Sequence, residues 1–380
     1  MTTVLTNARL ILDHEVVRGT IAFDEKGLHA VDQGTSSLPC AIDVEGDWVA
    51  PGLIEMHTDN LEKHYVPRPG VVWPSGLAAA LAHDAQMAAA GVTTVYDALC
   101  VGYDRGTAIS RADLLNELIG AIGRGVTENV FRIEHRLHLR CELSGADLVP
   151  TLETHIGNPL VHLASLMDHT PGQRQWRDLG SLKTYTMGTS GMSETAFETH
   201  IRERIAVGSD NATMNWPTVV EMLRQRAIPI ATHDDTTVDH VTTGLASGAV
   251  ISEFPTTIEA ATAAKERGLA TVAGAPNVVR GGSHSGGVSV ALLAERGVLD
   301  GLSSDYVPAS LLQAVHALEA NHGITLAEGM GMVTWRIADM LGLADRGRLA
   351  PGLRADVVQF RVVADTPIVR GLWCAGRRRH

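Results

Sequence analysis

The chain has 380 residues, of which 45% are hydrophobic, 19% charged and 4% aromatic, a balance that suits a soluble globular protein with a sizeable core. Its formal net charge of -12 argues against nonspecific nucleic-acid binding, which needs a basic surface, yet leaves room for a small anionic substrate in a locally basic site. No apolar run is long enough to span a bilayer, and the opening MTTVLTNARLILD has no leader features. The four cysteines (Cys40, Cys100, Cys141, Cys374) lack C-x-x-C spacing, so a reduced, cytoplasmic protein is expected.

The first segment reads as short strands. Val and Ile recur at period two in VLTNARLILD, VVRGTIAFDEKGLHAVD and CAIDVEGDWVA, with Asn, Asp and Gly between the runs. The last segment, RGRLAPGLRADVVQFRVVADTPIVRGLWCAGR, reads likewise. The two ends, residues 1–50 and 346–380, are expected to pair into one small composite β-sandwich. In residues 51–345 the rhythm changes. Apolar runs at 53–56, 92–96, 130–139, 160–166, 228–232, 249–252, 270–273 and 299–304 alternate with helical patterns. Such repeats predict an α/β fold, a (β/α)8 TIM-like barrel. An open doubly wound sheet is the alternative, but no G-x-G-x-x-G follows the first run. Ser110 opens one predicted helix, and Pro217 lies near the first turn of another in NWPTVVEMLRQRA. Residues 170–227 exceed what one crossover needs. LGSLKTYTMGTSGMS within them predicts an extended, lid-like loop accompanied by two helices.

An active site in a barrel forms at the C-terminal ends of the strands. Nearly every predicted strand ends on a potential metal ligand: His57 and Asp59, then Glu142, His169, His233 with Asp234 and Asp235, Glu253, and Asp305. His57 and Asp59, at i and i+2, share one face of a strand. Imidazoles with carboxylates suit one or two divalent ions, zinc or manganese. Asp305 is placed to orient a water and take its proton, or to serve as a further ligand. A single histidine is more often structural, and His83, His200, His316 and His322 are read that way. His138 either lines the barrel or packs in its core.

These residues resemble a known family. APGLIEMHTD after an N-terminal β segment, the aspartate in SSDY and the late RGRLAPGLRADVVQF are similar to the amidohydrolase superfamily over the whole chain. Its usual first-strand motif is H-x-H, and here Asp59 replaces the second histidine. HTDNLEKHYVPRPGVVWP, SLMDHTPGQRQWRD, THDDTT, SEFPTT, APNVVRGGSHSGG and LSSDYVP resemble one member group more closely. What that resemblance implies is a metal-dependent hydrolase of phosphoric anhydride bonds. It would open the 5-triphosphate of a ribose 1-methylphosphonate to the 5-phosphate and pyrophosphate, in phosphonate catabolism. The metal set would be His57, Asp59, Glu142, His169, His233 and Asp305.

A triphosphate substrate needs cationic partners. The expected set is Lys63, His64, Arg68, Arg140, Lys183, Arg280 and His284, with Arg174 nearby and the glycines around His284 offering backbone N–H groups. The same metal site would also serve a C–N hydrolase, a cyclic amidase or deaminase, but a neutral heterocycle has no use for the cations. A non-catalytic binding protein would have no use for the metal residues. Homo-oligomerisation is compatible with the sequence and not required by it.

Overall fold

A computed structural model describes residues 2–102, 109–174, 180, 183, 194–283 and 286–380. The chain begins with β1 (Thr3–Ile11), β2 (Val16–Asp24), β3 (Gly27–Gln33), β4 (Ile42–Asp43) and β5 (Trp48–Pro51). The central strands are β6 (Leu53–Thr58), β7 (Val92–Val101), β8 (Glu134–Glu142), β9 (Val161–Met167), β10 (Ile230–His233), β11 (Ala249–Glu253), β12 (Ala270–Gly274) and β13 (Gly301–Ser303). They pair in sequence order, all parallel, with helices between them. A parallel bridge from Thr58 to Asp305 brings the first and last strands together. The eight apolar runs in the sequence correspond to these strands, and the barrel prevails over the open sheet.

The C-terminal strands β14 (Val357–Val363), β15 (Thr366–Cys374) and β16 (Arg377–Arg378) join β1 to β5 in a second sheet built from both chain ends. Its core is Leu5, Leu10, Ile21, Phe23, Val357 and Trp373. The barrel interior is filled from below by Ile54, Met56, Tyr96, Leu163, Ile251 and Val272, with Ile337 closing the base. Parallel strands covered on both faces read as continuous apolar runs, and β7 is buried at every position. Gly52 must be a glycine, because a Cβ there would lie 2.3 Å from the Thr93 side chain. In the long crossover, the helix Glu194–Gln225 runs through Pro217 rather than starting near it. Pro217 costs that helix one backbone hydrogen bond, while burial of Val219, Val220 and Leu223 holds the following turns against the barrel. Most of the lid-like loop lies outside the described residues. Among the described residues, no helix is long and apolar enough to cross a membrane.

The barrel meets the segment leading into β14 at Glu134, the first residue of β8. Its Oε2 accepts from Arg346 Nη1 at 2.7 Å and also from Arg354. Arg346 Nη1 reaches Thr94 Oγ1 at 2.9 Å as well. Burial would raise the Glu134 pKa, but the two guanidinium groups hold it down at about 2. A depressed carboxylate stabilises the fold above its unfolded pKa, and that contribution drains away as pH falls toward the folded value. Glu134→Ala should therefore cost about 2 kcal/mol at neutral pH, because Arg346, Arg354 and Arg136 each lose one carboxylate contact. In urea titrations the difference from wild type should shrink steadily between pH 5 and pH 2, and a difference that is flat with pH would show that the pair contributes nothing.

Candidate metal centre and phosphate site

His57, Asp59, Lys63, Arg140, His169, His233, Asp234 and Asp305 line one cavity of about 340 Å³ at the C-terminal mouth of the barrel. Strand direction explains the convergence. β6 delivers His57 and ends at Thr58, and Asp59 follows as the residue that precedes the helix Asn60–Tyr65. β8 delivers Arg140 and Glu142, β9 leads to His169, β10 ends on His233, and β13 leads to Asp305.

Three of the residues that follow the strands are left-handed: Asp234 (φ 56°), Phe254 (φ 53°) and Asp305 (φ 52°). A bulky residue such as Phe254 rarely adopts this conformation. The neighbouring strand holds two of them there. Asp234 N donates to Glu253 O at 2.9 Å, and Phe254 N donates to Val272 O at 2.7 Å. Each turn bends the chain sharply where the strand meets the cavity wall.

The histidines are backed by buried carboxylates. His169 Nδ1 lies 2.6 Å from Glu142 Oε2, and its own N–H donates to Glu142 Oε1 at 3.0 Å. His57 Nδ1 and His233 Nδ1 each lie 3.2 Å from Glu253 Oε2. Such partners fix the tautomer and leave Nε2 as the free ring nitrogen. Nε2 of His169 and Nε2 of His233 both lie 3.7 Å from Asp234 Oδ2. The ligand atoms of His169, His233 and Asp234 fall within 4.8 Å of one another, as do those of His57, His233 and Glu253. Asp59, Glu142 and Asp305 are in neither group.

A divalent cation fits this donor set. Glu253 Oε1 and Asp59 Oδ1 are buried with no hydrogen-bond partner among the described residues. Lys63 Nζ is 3.5 Å from Asp59 Oδ1. Burial pushes the His57 pKa down to about 4 despite Glu253 beside it, so the ring is neutral and its lone pair available. Burial also opposes charge on His169, but Glu142 and Asp234 lift its pKa to about 9. Two carboxylates facing one imidazole create a place for positive charge, which a proton or a metal ion can supply. Nitrogen and carboxylate donors without thiolate suit zinc or manganese.

The expected phosphate residues divide. Arg140 and Lys63 line the cavity. Arg140 Nε contacts Met167 Sδ at 3.3 Å, and no carboxylate lies within 4.0 Å of its guanidinium among the described residues. Lys63 Nζ donates to Tyr306 O at 3.2 Å. His64 turns away to Gln86 Oε1 at 2.8 Å, and Arg68 and Arg280 are exposed. Arg174 Nη1 donates to His233 O at 2.6 Å and to Asp235 Oδ1 at 2.8 Å, so it braces the metal side rather than facing solvent. Lys183 is half-buried and does not line the cavity. His284 lies outside the described residues. Asp234, named from the THDD stretch as a potential ligand but left out of the expected metal set, sits beside His233 and lines the same cavity.

Comparison with known proteins gives a consistent picture. The Escherichia coli (strain K12) protein named alpha-D-ribose 1-methylphosphonate 5-triphosphate diphosphatase is 41% identical over 377 residues, 99% of this chain and 99% of that one. An N-acetyl-D-glucosamine-6-phosphate deacetylase from Mycobacterium smegmatis superposes with a TM-score of 0.62 at 17% identity, covering 99% of each chain. A dihydropyrimidinase from Brevibacillus agri NCHU1002 gives 0.61 at 12% identity, covering 100% of this chain and 95% of that one. These two structural likenesses establish the fold. No family model matches the chain.

Glu142 offers a direct test of the backing carboxylates. Glu142→Gln keeps the shape of the side chain but weakens its hold on His169 Nδ1. Divalent metal affinity, measured by competition with a chromogenic chelator, should fall about 10- to 100-fold. Unchanged affinity would mean that His169 takes no part in holding metal.

Proposed function

This chain belongs to the family of the α-D-ribose 1-methylphosphonate 5-triphosphate diphosphatase, and we propose that it hydrolyses that triphosphate to the 5-phosphate and pyrophosphate. The observation that carries the reading is 41% identity sustained over the full length of the chain. The cavity supports it, because Arg140 and Lys63 stand beside a cluster of metal-binding side chains. A C–N hydrolase would leave Arg140, half-buried and without a carboxylate partner among the described residues, unexplained.

The residues divide the work. His169, His233 and Asp234 would hold a divalent ion, with His57 next to them and Glu142 and Glu253 orienting the rings. When bound, zinc or manganese supplies acidified water near neutral pH and offsets phosphate charge. Asp305 is suited to accept the water's proton. Burial first, and then the negative charge of Asp59, raise its pKa to about 7, where a carboxylate can both take and release a proton near neutrality. Arg140 binds phosphate oxygens and gains strength from its low-dielectric surroundings. Lys63, at the rim, meets the outer phosphates. The phosphorus nearest the ribose is attacked, and pyrophosphate leaves toward Arg140 and Lys63. The acidic balance of the chain and the four free cysteines, three of them buried, suit a small-molecule enzyme of the cytoplasm with no nucleic-acid partner.

Incubation with the ribose 1-methylphosphonate 5-triphosphate and, separately, with ATP should separate the possibilities when the products are followed by phosphorus NMR. Pyrophosphate should form from the first and little from the second. Orthophosphate as the first product would put the cleavage at the wrong bond.

A further inference from the structure

A second group of titratable side chains lies outside the cavity, buried between the barrel wall and the helix Gly76–Ala89. Asp97 of β7 stands at its centre. Its Oδ1 accepts from His83 Nε2 at 2.7 Å, and its Oδ2 accepts from His135 Nδ1 at 2.8 Å. Beyond His135, Nε2 is 3.5 Å from Asp84 Oδ1. Asp84 accepts from Arg132 N and Ile133 N at 2.8 and 3.1 Å, and from Arg132 Nη1 at 2.9 Å. In the other direction, His83 Nδ1 lies 3.1 Å from Asn60 Nδ2, which also donates to Gln86 Oε1 at 2.9 Å. Asn60, His83, Asp84, Asp97 and His135 are all buried.

Ligand atoms of His83, Asp97 and His135 fall within 4.8 Å of one another, so a second metal site has to be weighed. The hydrogen bonds count against it. Both nitrogens of His83 and both oxygens of Asp97 already have partners. The pKa of His135, which burial would depress, is lifted to about 9 by Asp97 and Asp84. Two carboxylates, one imidazolium and one guanidinium balance without an ion. One atom, His135 Nε2, is buried without a hydrogen-bond partner among the described residues, at 3.5 Å from Asp84 Oδ1; the remaining bonds of the cluster make it a rigid, specific network.

We propose that Asn60, His83, Asp97, His135 and Asp84 form a positioning network for Lys63, one that sets the rim cation against the phosphate end of the substrate. Asn60 is the first residue of the helix Asn60–Tyr65, with Asp59 just before it and Lys63 within the same six residues. A helix this short has little stability of its own. Locking the Asn60 amide between His83 and Gln86 therefore fixes its rotation. The inference rests on the phosphate role given to Lys63 above.

A double-mutant cycle on the metal-loaded full chain tests it, with inorganic tripolyphosphate as the calorimetric probe. This probe requires no turnover, so a failure of the substrate assignment by NMR leaves the cycle readable. Lys63→Met should weaken binding about fivefold or more in the wild-type background and less than about twofold in Asn60→Ala, as expected for coupled residues. His83→Leu should behave like Asn60→Ala, and if it fails to fold, Asn60→Ala alone decides. An identical factor in both backgrounds, including no effect in either, overturns the proposal. Metal content should match wild type in Asn60→Ala and in folded His83→Leu. Loss of one metal equivalent would make the cluster a metal site and overturn it too.

Discussion

The mouth of this barrel depends on how its first and last strands are joined. The seam between β6 and β13 is closed largely by side chains. Glu55, fully buried, accepts from His57 N at 2.7 Å through one oxygen and from Ser304 N at 2.5 Å through the other. Ser303 Oγ donates to His57 O, and Thr58 Oγ1 and Asp59 N both donate to Asp305 O, at 2.7 and 3.1 Å. Burial raises the Glu55 pKa to about 7, against hydrogen bonds from Ser304, His57 and Ser303 that pull it down. Such a carboxylate is costly unless both oxygens are used. Here the cost secures a fixed distance between a metal-side histidine and the aspartate proposed as base.

The same logic recurs at three histidines of the cavity. A buried carboxylate holds an imidazole by one nitrogen and leaves the other for the cavity: Glu142 for His169, and Glu253 for His57 and His233. Left-handed residues then turn the chain at the rim. The result is a cavity whose imidazoles sit on or just beyond the strand ends and are held by buried acids, as preorganised catalysis requires.

Much of this was legible in the sequence because parallel strands buried on both faces leave unbroken apolar runs, and because polar residues just after those runs must emerge together. That argument alone leads to His57, His169, His233 and Asp305, which line one cavity. The cations were harder. Arg68, Arg280 and Arg174 sit near motif residues in the chain, yet side-chain direction sends the first two to solvent and the third beneath His233. Proximity in sequence does not encode that direction. Glu142, expected as a metal ligand, is hydrogen-bonded to His169 through both oxygens, a contact the sequence does not encode. The network around Asp97 was missed because it spans the helix Gly76–Ala89 and two strands, and each member taken alone reads as an ordinary buried polar residue.

The central claim is that Asp305, held by the seam, handles the proton while other side chains hold the metal. Steady-state kinetics of Asp305→Asn, with metal measured on the same sample by atomic emission, tests it most directly. The account predicts wild-type metal content with kcat lower by about 100- to 10,000-fold, the usual loss when a general base is removed. Full turnover with bound metal unchanged would contradict it.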